Sequence, residues 1–72
     1  TTIRYNLKSG SEVYFRIYNI ANRLVYERNE GFRNEGEHNL VFRNENLPEG
    51  VYFYEITTGT ARLSKTMVIV QK

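Results

Sequence analysis

Period-two alternation opens the chain. In Ile3-Arg4-Tyr5-Asn6-Leu7 the apolar residues Ile3, Tyr5 and Leu7 share one face and Arg4 and Asn6 the other, the signature of a half-buried strand. Lys8-Ser9-Gly10-Ser11 supplies turn residues, and the pattern resumes with Val13, Phe15 and Ile17 against Tyr14, Arg16 and Tyr18. The two segments read as an antiparallel pair. Asn19-Ile20-Ala21-Asn22-Arg23 interrupts them, with Asn22 the natural occupant of a left-handed turn position.

A third strand is expected from about Arg23 to Arg28, followed by a loop over Asn29 to Glu37 that contains Gly31 and Gly36. His38, Leu40 and Phe42 then alternate with Asn39, Val41 and Arg43 as a fourth strand. The link Asn44-Glu45-Asn46-Leu47-Pro48-Glu49-Gly50 is rich in turn formers. It leads into Val51 to Thr58, whose apolar residues on both faces point to a central strand. Gly59-Thr60-Ala61 is short enough for a hairpin loop, and Arg62 to Val70 returns as the last strand.

About six to seven short strands spaced 8 to 12 residues apart, with no 3.6-residue pattern, predict an all-β fold, a small antiparallel β-sandwich. A small closed barrel is the structural alternative. Composition agrees: Val, Ile, Thr, Tyr and Phe make up 27 of 72 residues against two Ala. A chain this short holds one core and has marginal stability.

Composition also removes chemistry. There is no cysteine, hence no disulfide framework, thiol nucleophile or Cys-type zinc site, and all eight acids are Glu, with no Asp. His38 is the only histidine and stands in an alternating strand, so no base is paired with a nucleophile and a structural role is expected for it. The glutamates fall mainly in turn-rich segments and read as solvated; no metal ligand set, catalytic group or cofactor is expected. The Arg-Asn-Glu triplet at 28–30, 33–35 and 43–45 has spacings too short for a repeat unit and reads as loop composition.

Net charge is +2, too small an excess to imply nucleic-acid binding, although Tyr14, Arg16, Tyr18 and Tyr26 would suit base stacking if they formed one face. An aromatic platform for carbohydrate or protein adhesion is a further use of the same tyrosines. Charge is unevenly placed: residues 27–49 hold six acids and three bases, while no acid follows Glu55. No apolar stretch approaches the roughly 20 residues of a membrane-spanning helix, and no export leader is visible.

Specificity comes from the order of four segments: Thr1-Thr2-Ile3-Arg4-Tyr5, Val13 through Ile20, Leu47-Pro48-Glu49-Gly50-Val51-Tyr52-Phe53-Tyr54, and Lys65-Thr66-Met67-Val68-Ile69-Val70. In this order and spacing, over essentially all 72 residues, the chain resembles the type A C-terminal sorting domain of the Bacteroidetes type IX (Por) secretion system. The family commonly has Asp and Gly where Asn19 and Asn22 stand, both natural replacements, and often Trp-Asp where Phe42-Arg43 stands. Its usual Asn-Pro motif before the first strand is missing.

The resemblance implies an Ig-like module at the C-terminus of a larger exported protein, non-catalytic, read by outer-membrane translocon components and removed by a sortase. The cargo would pass through the periplasm and be released or attached to the surface. Matched to the family's motifs, Gly50, Tyr52, Lys65, Met67, Val68 and Lys72 are the positions expected to serve recognition, Gly50 through backbone geometry and Tyr52, Met67 and Val68 with core packing as the alternative role. A terminal strand with Lys65 and Lys72 and no late acid suits docking on a receptor edge or acidic surface. Similar strand starts occur in Ig-like modules of flagellar hook-capping proteins, a structural alternative to sorting.

Overall fold

A computed structural model describes residues 2–43, 47–59 and 61–70. Six strands form it: β1 (Thr2–Leu7), β2 (Ser11–Asn19), β3 (Leu24–Arg33), β4 (Gly36–Val41), β5 (Gly50–Thr57) and β6 (Arg62–Ile69). They make two antiparallel sheets, β1-β4 and β3-β2-β5-β6, the small β-sandwich that the strand pattern predicts.

The core lies between the sheets. From the small sheet come Ile3, Tyr5, Leu7 and Leu40, joined by Phe42, and from the large one Val13, Phe15, Ile17, Tyr52, Ile56, Met67 and Ile69. Alternation fixes which residues enter it, since every second side chain of a strand points the same way. Phe15 is its centre, with the rings of Phe42, Tyr26 and Tyr54 5.8, 6.0 and 6.2 Å away in tilted and edge-on contacts.

Three expectations are corrected. β1 does not pair with β2: it pairs with β4, with Tyr5 opposite His38, and meets β2 only across the core. Alternation gives each strand an apolar face without selecting its partner, and Lys8-Ser9-Gly10 carries the chain from one sheet to the other. Second, the strand expected to stop at Arg28 runs to Arg33, so most of the expected 29–37 loop is sheet and only Asn34-Glu35 turns before β4.

That polar run survives as a strand because it satisfies itself. β3 bulges twice against β2, where the register shifts between Val13 and Tyr14 and between Ile17 and Tyr18. At the first bulge Gly31 takes φ 78°, and its N–H donates to Asn29 Oδ1 at 2.7 Å. The Glu30 carboxylate is bonded by Arg28 and lies 3.9 Å from the Arg33 guanidinium. The third correction follows: the Arg-Asn-Glu triplet at 28–30 is a strand segment with a paired charge, not loop composition, and the one at 33–35 spans a strand end and a turn. The 43–45 copy lies mostly outside the described residues.

β4 runs from Gly36 to Val41, earlier at both ends than expected. β5 is central, between β2 and β6. The β5–β6 hairpin closes with the Thr58 N–H donating to Ala61 O at 2.9 Å; Thr60, like residues 44–46 of the link before β5, lies outside the described residues. Asn22 does adopt the left-handed conformation, φ 62°. Asn19 organises that turn, its Oδ1 accepting from the amides of Ala21 and Arg23 at 2.9 and 3.0 Å. An acceptor oxygen is all the position uses, which is why Asn serves where Asp is common.

Candidate recognition surface

The outer face of the four-stranded sheet is divided by charge. Arg16 on β2 donates to Glu27 on β3 at 2.6 Å and lies 3.5 Å from Glu55 on β5, whose other oxygen is 3.6 Å from Arg62 on β6. The hydrogen bond from Arg16 to Glu27 holds its guanidinium above the ordinary range. Two carboxylates and two guanidiniums thus form a belt across all four strands, with no net charge left for a polyanion.

On one side of the belt the surface turns apolar. Register places Leu24, Tyr18, Phe53 and Thr66 in one row across the sheet and Val51 and Val68 in the next. Phe53, Val51, Val68 and Val70 are 42, 44, 62 and 67% exposed, and Ile20 at the adjoining turn is open to solvent. Scattered exposed apolar residues need no explanation, but several gathered on one sheet face make that face a candidate interaction surface. The hydrophobicity of both faces of β5 therefore has two causes: Tyr52 and Ile56 fill the core, and Val51 and Phe53 belong to this patch.

The aromatic face considered for base stacking does not form. Tyr14 and Tyr18 are on the outer face, but Tyr26 points inward, its ring 5.1 Å from Phe42. Arg16, over the Tyr14 ring at 5.5 Å, is the guanidinium already paired with Glu27 and Glu55.

The positions matched to family motifs separate. Gly50 opens β5 at φ 155°, a conformation that side-chain-bearing residues rarely adopt. Tyr52 and Met67 face each other across β5 and β6 and are both buried. The Tyr52 hydroxyl donates to Pro48 O at 2.7 Å, fixing the link to the strand it precedes. Val68 is on the outer patch. Lys65 is exposed and shares the inward-facing register of Leu63 and Met67 at the sheet's edge. Lys72 lies outside the described residues. One strand thus offers Val68 to one face and Lys65 to the other.

Sequence reasoning missed a half-buried polar cluster at the side of the sandwich. Tyr5, buried between the sheets, has its phenol raised above the usual range by burial, against which the Arg33 charge acts while the Glu30 charge adds to it. Burial draws the Arg28 guanidinium down, but the hydrogen bond and charge of Glu30, with a smaller share from Tyr26, hold it above its ordinary range. Arg28 also donates to Val41 O at 3.2 Å, tying β3 to β4. His38 lies beside Tyr5, ring centroids 5.6 Å apart, and its Nε2–H donates to Asn34 O at 2.7 Å. These contacts join the two sheets at their β3–β4 crossover. Their signal in the sequence was an Arg-x-Glu pair two residues apart, the spacing that puts both on one strand face.

Among the described residues no group of histidines and carboxylates could hold a metal ion, and no helix is long and apolar enough to cross a membrane. What the fold defines is a small β-sandwich whose distinctive features are surfaces: an apolar patch on the large sheet and an edge strand that borders it. The sequence profile of the secretion system C-terminal sorting domain matches residues 1–70. The chain belongs to that family, the sorting signals of type IX secretion, which address proteins to the cell surface or the extracellular space. No curated protein and no solved structure is significantly similar to it.

Proposed function

We propose that the domain is the non-catalytic C-terminal address of a larger exported protein, carried into the periplasm with its cargo and read there by outer-membrane translocon components of type IX secretion. A sortase then removes it, and the cargo is released or attached to the surface. The observation that carries this reading is the family match across residues 1–70. Physical support comes from β6, which sets Val68 on an apolar patch and Lys65 at an open edge, so that one strand presents apolar and cationic groups together. Within the set Gly50, Tyr52, Lys65, Met67, Val68 and Lys72, we assign contact with the machinery to Lys65, Val68 and Lys72. Gly50, Tyr52 and Met67 serve by holding the strand that displays them.

The test is a fusion of residues 1–72 to a periplasmic reporter in a bacterium with type IX secretion. The reporter is expected at the cell surface or in the medium. Retention in the periplasm, with the domain folded by protease resistance, overturns the reading.

A further inference from the structure

The sandwich has an open side away from the apolar patch. β1 pairs only with β4 and β6 only with β5 among the described residues, so each leaves a row of backbone N–H and C=O groups without a strand partner. Residues of both edges line one groove of about 370 Å³, within the roughly 300–1,000 Å³ usual for ligand sites. Its floor is apolar, from Leu7, Ile56 and Leu63, and Arg4, Arg62 and Lys65 bring cations to it, while among the described residues no carboxylate lines it. Arg62 is partly neutralised by Glu55 on the outer face, but Arg4 and Lys65 have no ion-pair partner among the described residues.

The position of Lys65 decides what such a groove accepts. It stands in the inward register of an edge strand, opposite Tyr54, where an apolar residue would extend the core. A cation there discourages pairing with any apolar strand, including that of another copy, because the ammonium would lose its water without a partner. An incoming strand with a carboxylate at the facing position meets no such penalty, and this converts a guarded edge into a selective one.

We propose that this groove takes an acidic, extended segment of a partner chain, added as a further strand along the free edge of β6, with its carboxylates at Lys65 and Arg4 and its apolar side chains on Leu7, Ile56 and Leu63. The proposal deepens the sorting reading and rests on it for assigning the segment to the secretion machinery; the binding itself is measurable apart from export. A seventh strand at this position would close the gap between the two sheets.

The test titrates the isotopically labelled 72-residue domain with a blocked peptide of about ten residues in which every second position is Thr and the positions between alternate Glu and Val, so that one face of the added strand carries both a carboxylate for Lys65 and an apolar side chain for Leu63. Three controls accompany it: the same peptide with Lys for Glu, the acidic peptide interrupted by Pro, and inorganic phosphate. The acidic peptide is expected to bind saturably, to shift the amides of Arg62–Ile69 and to slow their hydrogen exchange. The Lys peptide, the Pro peptide and phosphate are expected not to do so. Lys65→Glu is expected to weaken the acidic peptide about tenfold or more and to gain binding of the Lys peptide. Arg4→Glu, on an exposed strand position, gives a second reversal should Lys65→Glu fold poorly.

Equal binding of acidic and basic peptides overturns the proposal. So do matching shifts with phosphate or the Pro peptide, which mean a plain anion site, shifts confined to Val51, Phe53 and Val68, or no saturation at millimolar peptide. Failure of the sorting reading alone has a different signature: selective peptide binding by a domain whose reporter fusion stays in the periplasm.

Discussion

β2 and β6 belong to the same sheet and have similar length, yet they use their apolar residues in opposite ways. β2 has strands on both sides and sends Val13, Phe15 and Ile17 into the core, where none retains measurable exposure; on its outer face Arg16 is tied up in the ionic belt. β6 has one neighbour, buries only Met67 and Ile69, and leaves Val68 exposed on one face and Lys65 on the other. The lesson is a division of labour. An interior strand determines whether the domain folds, and the edge strand determines what the folded domain can touch. The comparison breaks if substitutions in the two strands alter stability and export in the same proportion.

The largest effect should come from Phe15→Ala. Removing a fully buried Phe costs about 3–5 kcal/mol, comparable with the roughly 3–5 kcal/mol that a core in a domain this small supplies. The four-ring cluster of Phe15, Tyr26, Phe42 and Tyr54 would lose its centre. Urea unfolding followed by circular dichroism should show no cooperative transition. A variant that melts within a few degrees of the parent would mean that β2 does not carry the fold.

Tyr52→Phe sharpens the comparison on β5, the strand between the two. The ring stays in the core, but Pro48 O loses the hydroxyl that donates to it. The expected cost is about 1 kcal/mol, or a Tm fall of roughly 4–8 °C for a domain of this size. Export of a reporter fusion should decline only as far as the folded fraction does. A drop in export at unchanged Tm would move Tyr52 from the scaffold to the contact surface.

How much of this was legible in the sequence depends on whether the information was local. Strand identity and facing were, because alternation at Ile3-Tyr5-Leu7 and Val13-Phe15-Ile17 is a property of neighbouring residues. So was the left-handed Asn22. Pairing was not: β1 could be placed beside β2 or β4 without changing which of its side chains is buried, and only the three-dimensional closure of the sandwich selects β4. β3 reads shorter in the sequence than it is, because Arg28, Asn29 and Glu30 look like loop residues, while in the fold Arg28 bonds Glu30 and Asn29 bonds the amide of Gly31. The motif positions were found by resemblance, but a motif does not say which side of a strand faces solvent. Register does: Tyr52 and Met67 lie inward, and Val68, next to Met67 in sequence, lies outward.

That one-residue difference gives the smallest effect on stability. Val68 is more than half exposed on an edge strand, so Val68→Ser removes little buried area and should change stability by no more than about 0.5 kcal/mol. Its neighbours on the patch, Val51 and Phe53, would remain in place. If the patch contacts the secretion machinery, reporter export should fall while the urea midpoint stays within error of the parent, the reverse of the behaviour expected at Phe15. Normal export by Val68→Ser, together with normal export by Val51→Ser, would remove the outer face from recognition and leave the open edge of β6, with Lys65, as the surface that remains to be read.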